Sequence, residues 1–204
     1  MDRTRIAVIG ALALAAVAGL GVYVFSDSGG DREPRRATPP VRVSAPTTST
    51  TAAPTEACTS SVGGYTVEYP AGWYVDDSNP AWACGLFDPE PYVVEPETEF
   101  PVVAVTIDVE PGVPYADIVA GNSDPTSWDV LEQRDTTVDG FPAVVLETVQ
   151  REELLLPAGT YWYQVVIDRP GAATIVYTTG EPGPAYDANR ATLDAMVASL
   201  RFTG

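Results

Sequence analysis

The chain has 204 residues and a formal net charge of −17, with no histidine and no lysine in its sequence. These absences exclude Ser-His-Asp and Cys-His catalysis, Schiff-base chemistry, histidine-ligated zinc and the phosphate-binding P-loop. Residues 58–204 hold 23 acidic residues against five arginines, a net charge of −18. Such a surface repels phosphates, so no nucleic-acid partner is expected.

The N-terminal region contains a continuous apolar run from Ile6 to Phe25 without a charged residue. Twenty residues of helix span about 30 Å, the thickness of one hydrocarbon core. Arg3 and Arg5 precede the run, which favours a cytoplasmic N-terminus. We therefore expect a single-pass anchor in residues 1–25, with the C-terminal part outside the cell membrane. The alternative is a signal peptide cleaved near Val24-Phe25-Ser26, which would release a secreted protein.

Residues 26–57 are rich in Pro, Thr, Ser and Ala and show no apolar periodicity. A segment of this composition cannot bury enough surface to offset its ordering entropy, and it predicts a disordered linker. Cys58 and Cys84 are the only cysteines. An even pair in an exported chain predicts a structural disulfide, because redox pairs are usually spaced C-x-x-C.

Residues 58–204 predict one α+β domain, with a mainly antiparallel sheet packed against helices. Strands are expected at 65–69, 101–109, 128–138, 141–149, 160–168 and 172–178. Asp139-Gly140 predicts a tight hairpin turn between two of them. A short helix is expected over Pro114–Ala120. A longer helix is expected over Pro184–Ser199, with apolar residues at helical spacing.

Four segments of this domain resemble the PsbP-like family, most closely the exported LpqN-type proteins of actinobacteria. They are YTVEYPAGW, VDGFPAVVLET, YWYQVVI and the terminal YDANRATLDAMVASLRF, and the resemblance covers nearly all of residues 58–204. It implies an α/β/α sandwich and an accessory or binding role without a conserved reaction. The sequence departs from the family pattern in two ways. LpqN-type members typically carry a lipidated cysteine, which is absent here, and the cysteine pair cannot be attributed to the family.

Several acidic segments are candidate sites, and each has a simpler interpretation. Asp76-Asp77-Ser78-Asn79 offers oxygen ligands without calcium-loop spacing, and a solvated turn explains it. The acidic, proline-rich loop Asp88–Glu99 is expected to be solvated. Glu152 and Glu153 would need a second carboxylate at a defined distance for glycosidase chemistry. No metal or cofactor site is predicted.

The aromatic strand segment Tyr161, Trp162 and Tyr163 supplies the candidate ligand-binding residues. Successive strand residues point to opposite faces, so large aromatics on both faces indicate either a sheet covered on both sides or an exposed patch. We expect a partly open apolar groove near the short helix, rimmed by acids and suited to an apolar or cationic ligand. A membrane-tethered, non-enzymatic binding or accessory domain acting on an envelope partner is the expected function. The alternative is a carboxylate- or metal-dependent hydrolase of envelope material.

Overall fold

The computed structural model describes residues 53–75, 82–94, 101–154 and 156–203. In these ranges the chain forms ten strands and two helices. The strands are β1 (Thr55–Ser60), β2 (Tyr65–Pro70), β3 (Tyr74–Val75), β4 (Leu86–Asp88), β5 (Val105–Pro111), β6 (Trp128–Val138), β7 (Phe141–Gln150), β8 (Tyr161–Arg169), β9 (Ala172–Gly180) and β10 (Arg201–Phe202). The helices are α1 (Tyr115–Gly121) and α2 (Pro184–Ser199). The apolar run at 6–25 and the acidic segments at 76–79 and 95–99 lie outside the described residues.

Seven strands form one antiparallel sheet in the order β3-β4-β5-β9-β8-β7-β6. The chain builds the β6–β7 and β8–β9 pairs as hairpins, as the turn residues predict. Asp139 and Gly140 both have positive φ, at 49° and 84°. This conformation matches the twist of the flanking strands and favours Asp-Gly at the turn.

One face of this sheet, the α2 face, packs against helix α2 and carries the main core. Residues on alternate positions of the central strands, among them Val145, Val165 and Val176, are buried there. Tyr186, Leu193 and Met196 are the buried residues of α2, and they fall at the spacing predicted from the sequence. The 16-residue helix covers this face and seals it over the central strands.

The opposite face, the α1 face, packs against the much shorter helix α1. Val144, Leu146 and Val166 form a small buried cluster there, against which Tyr115, Ile118 and Val119 of α1 pack. The helix has seven residues and none of them is buried. The structure is therefore an antiparallel, sheet-rich α+β domain with helices on both faces, as predicted, and with unequal cover.

Three further strands form a second sheet in the order β1-β2-β10. Tyr65 and Val67 of β2 are buried in the same core as α2. Cys58 of β1 is bonded to Cys84, with Cα atoms 5.7 Å apart, so the predicted disulfide is confirmed. The disulfide ties this small sheet to the turn before β4.

Several boundaries differ from the sequence prediction, among them those of β1, β5 and α1. β1 begins at Thr55, within the range assigned to the linker, because Thr55–Ala57 pair with Glu68–Pro70. β5 begins at Val105 instead of Pro101. Helix α1 extends through Gly121, and Pro114 is its N-cap. β1 and β5 begin where each strand starts to pair with another strand. The shift of α1 is one residue, which is within the usual variation of a helix end.

Candidate functional site

The aromatic segment of β8 is divided between the two faces of the large sheet. Tyr161 and Tyr163 lie on the α2 face and Trp162 lies on the α1 face, as strand alternation requires. Tyr163 is buried, whereas Tyr161 and Trp162 are half-buried. The three predicted ligand-binding aromatics therefore do not form one surface.

On the α2 face, Tyr163 belongs to a network that fixes the helix to the sheet. Its hydroxyl donates to Asp194 Oδ1 at 2.8 Å, and burial together with this carboxylate raises the pKa of Tyr163 to about 12. Arg190 donates to Glu147 Oε1 at 2.8 Å and lies 4.4 Å above the Tyr163 ring. Tyr186 also donates to Glu147, at 3.2 Å. These groups satisfy one another, which makes the network structural.

On the α1 face, Trp162 lies between two other aromatic rings. It stacks on Tyr177 at 5.7 Å between centroids and meets Trp128 edge-on at 5.6 Å. Its indole nitrogen donates to Gln150 Oε1 at 3.3 Å. Burial raises the pKa of Tyr177 to about 12. These aromatic contacts extend the core beyond the area that α1 covers.

An open depression of about 430 Å³, which we call the α1 groove, lies at the N-terminal end of α1. Three segments build it: the end of β5, the first turn of α1 and the β8–β9 hairpin. Its lining residues are Gly112, Val113, Pro114, Tyr115, Ala116, Asp168, Arg169, Gly171 and Ala172. The sequence predicts a partly open groove near this helix on the basis of Tyr161, Trp162 and Tyr163, but none of these three aromatics lines the depression.

Two carboxylates act on Tyr115 of the α1 groove. Burial raises the pKa of Tyr115, and the negative charges of Asp135 and Asp168 raise it further, so both carboxylates act on this ring. Arg169 also lines the groove, but its guanidinium donates to the carbonyl of Gly63 at 2.7 Å and lies 4.2 Å from the Phe202 ring. The arginine is therefore engaged by the small sheet, and Asp168 remains exposed at the rim.

A second depression, of about 240 Å³, lies between β6 and α2 on the α2 face. Its apolar floor includes Val145, Val165 and Val197, and its rim carries Arg134 and Asp194. The Asp194 carboxylate there accepts the bond from Tyr163. This depression exists because α2 does not extend over β6, the edge strand of the sheet.

The two acids considered for glycosidase chemistry, Glu152 and Glu153, line neither of these depressions. Glu152 and Glu153 are exposed, and Glu152 accepts a bond from Ser127 Oγ at 3.1 Å. Across the ranges 53–75, 82–94, 101–154 and 156–203, no group of three or more His, Cys, Asp or Glu side chains could hold a metal ion. Among the same residues, no helix is long and apolar enough to cross a membrane.

The residues of the α1 groove were not singled out from the sequence. Tyr115 looked like an ordinary helix residue, and Asp168 an ordinary strand-end acid, because 53 positions separate them along the chain. The groove prediction rests on large aromatics on both faces of β8 and on a helix too short to cover one face. Neither signal points to Tyr115 or Asp168.

Three solved structures show similarity to this chain. The yeast (Saccharomyces cerevisiae) Ran-binding protein Mog1p has 12% identity and a TM-score of 0.48, with 74% of this chain and 97% of Mog1p covered. The PsbP of the cyanobacterium Synechocystis has 13% identity and a TM-score of 0.42, with coverage of 76% and 95%. A Pseudomonas aeruginosa protein of unknown function, PA94, has 20% identity and a TM-score of 0.37, with coverage of 55% and 87%.

One of the three is a PsbP, the family that the sequence segments resemble, and none of them confirms the LpqN-type relationship. With identities of 20% or less and TM-scores below 0.5, none of these similarities assigns a partner or activity to this chain. No protein-family model matches the chain. No curated protein matches it either.

Proposed function

We propose that this chain is a membrane-tethered extracytoplasmic binding or accessory protein, without catalytic activity, that takes an apolar or cationic segment of an envelope partner in the α1 groove. The observation that carries the proposal is the composition of that groove. Its walls are apolar at Val113, Pro114 and Ala172, and its rim carries Asp168, whereas the Arg169 guanidinium is turned to the Gly63 carbonyl.

The physical argument combines shape and charge. Ligand sites are concave and largely apolar, with a few polar groups that set orientation. A depression of about 430 Å³ holds a few side chains of a partner rather than a whole small domain. A cationic group entering it meets Asp168 and the face of Tyr115, and both favour a positive charge.

The membrane tether of this proposal rests on the apolar run at 6–25 and on the arginines before it. The full-length chain is expected in the membrane fraction, with residues 53–204 accessible to protease added outside the cell. A soluble exported form that begins near Asp27 would support the signal-peptide alternative. The finer relationship to LpqN-type proteins of actinobacteria is part of the same proposal, supported by the four sequence segments that carry the resemblance.

The binding site can be tested with two peptides that share their apolar residues and differ only in charge, one rich in arginine and one in glutamate. The full-length chain, held in discs of uncharged lipid, is expected to bind the basic peptide and not the acidic one. Asp168→Asn should weaken the basic peptide several-fold, because the substitution removes the rim charge and keeps the side-chain shape. Fluorescence anisotropy measures both affinities.

Glu181→Gln is the matched control, since Glu181 is an exposed acid outside the groove. It removes the same unit of charge and should leave the affinity for the basic peptide unchanged. If both substitutions weaken the affinity for the basic peptide equally, the net charge of the chain explains the binding and the α1 groove does not. Binding of the acidic peptide with the same affinity would contradict the site.

A further inference from the structure

Strand β6 is a long and exposed edge of the large sheet. It has 11 residues, and among the strands that the structure describes it pairs only with β7. Val130 and Leu131 on this strand are 42% and 55% exposed. An edge of this length offers a row of unpaired peptide groups to another strand.

The hydrogen bonds of β7 determine which peptide groups of β6 point outward. The amide of Gln150 donates to Thr160, on the β8 side, while the amide of Arg151 donates to Ser127, on the β6 side. Peptide groups alternate in direction along an antiparallel strand, so Glu147 and Val145 bond to β6. Their partners there are Glu132 and Arg134. Gln133 and Asp135 therefore direct their peptide groups away from the sheet.

Antiparallel pairing of β6 with a second copy requires that outward peptide groups face one another, so a two-fold axis must pass through a residue position. An axis through Glu132, Arg134 or Asp135 sets that charged residue opposite itself. An axis through Thr136 shortens the paired segment, because the β6–β7 turn begins after Val138. Like charges directly opposite one another destabilise a strand pair.

An axis through Gln133 gives a different result. It sets Glu132 opposite Arg134 of the second copy, and the symmetry repeats the contact. Within one copy these two residues already form an ion pair at 2.8 Å. The two pairs therefore combine into a ring of four alternating charges, at the closely spaced, non-hydrogen-bonded position of the ladder. The same register sets Leu131, which is 55% exposed, opposite Asp135 of the second copy.

We propose that β6 is the interface of a homodimer, in which the two β6 strands pair antiparallel about Gln133 and join two seven-stranded sheets into one. Complementary charge selects the second copy as the occupant of this edge, because Glu132 and Arg134 each meet an opposite charge in this register. The irregularity between Val130 and Glu132 limits the paired region to the residues near the axis.

Cysteine cross-linking of the full-length chain tests the register. Gln133→Cys places two thiols across the axis, with Cα atoms about 5.5 Å apart in a hydrogen-bonded pair, within disulfide range. Asp135→Cys is the control on the same strand, because its two copies lie about 14 Å apart along the paired strands. Mild oxidation should give a dimer on a non-reducing gel for Gln133→Cys and not for Asp135→Cys. Equal cross-linking at both positions, or none at either, would overturn the proposal.

A charge exchange tests the partner. In the Gln133→Cys chain, adding Arg134→Glu sets acids opposite acids and should lower the cross-linked fraction several-fold. Adding Glu132→Arg to that variant restores opposite charges in every pair and should restore the cross-linked fraction. Thermal unfolding checks that each variant is folded. If the single substitution has no effect, or if the exchange brings no recovery in folded protein, β6 does not pair with itself in this register.

Discussion

The two faces of the large sheet differ in how completely they are covered. The α2 face buries three residues of a 16-residue helix, and the network of Tyr163, Glu147 and Arg190 fixes that helix to the sheet. The α1 face is covered by a seven-residue helix with no buried residue, and its buried apolar cluster has three members, Val144, Leu146 and Val166. The comparison predicts that the α2 face contributes more to the stability of the domain than the α1 face does.

The largest expected loss of stability follows from truncating a side chain at the centre of the α2-face core. Leu193 is fully buried there, so Leu193→Ala removes apolar contacts and leaves a cavity. We expect a loss of about 3–5 kcal/mol in the free energy of unfolding, measured by urea denaturation with tryptophan fluorescence.

Ile118→Ala is the matched substitution on the α1 face. Ile118 is half-buried against Val144 and Leu146, so its truncation should cost about 1 kcal/mol. If the two substitutions cost the same, the two faces contribute equally, and the comparison between them fails.

The next effect concerns the disulfide, and its expected loss of stability does not reach the upper end of the range given for Leu193→Ala. Cys58 and Cys84 both contact the core of the α2 face and are 26 residues apart. Replacing both by serine should lower the free energy of unfolding by about 3–4 kcal/mol, because the unfolded chain gains freedom. Calorimetry of the double variant measures the loss. A stability unchanged from that of the parent chain would show that the core alone holds the small sheet in place.

The smallest effect concerns a carboxylate on the α1 side of β5. Burial raises the pKa of Asp108, and the amide of Val109 and the side chain of Glu110 oppose the shift. A raised pKa in the folded state stabilises the fold at acidic pH, and this stability is lost as the pH rises through the folded pKa. Asp108→Asn removes this loss. The melting temperature of the variant should therefore exceed that of the parent chain at neutral pH, and the two melting temperatures should converge at acidic pH.

Glu153→Gln is the control for this pH series, since Glu153 is exposed. It should shift the melting temperature little at any pH. A parent chain whose melting temperature rises more steeply with pH than that of Asp108→Asn would reverse the sign of the argument.

The sequence predicts the local elements of this fold well. Helix α2 and the hairpin turn at Asp139-Gly140 follow from apolar spacing and turn chemistry over a few neighbouring residues. The strand alternation of β8 also predicts that Trp162 faces away from Tyr161 and Tyr163.

Features that depend on distant pairing were not predicted. The small sheet forms because β2 pairs both with β1 and with β10, more than 130 positions further along the chain. The α1 groove requires Tyr115 and Asp168 to meet, and no periodicity links these two residues. Local patterns carry no information on such contacts, since they arise only when the sheet order is set.

The position of the disulfide has a mechanical consequence for a domain held by its N-terminal end. Force applied through Thr55 acts on the open end of the β1–β2 hairpin, so it peels β1 away one residue pair at a time. Only Thr55, Glu56 and Ala57 can detach before the load reaches Cys58, from which the covalent bond passes it to Cys84. Stretching the chain would therefore detach three residues of β1 before the disulfide carries the force into the core.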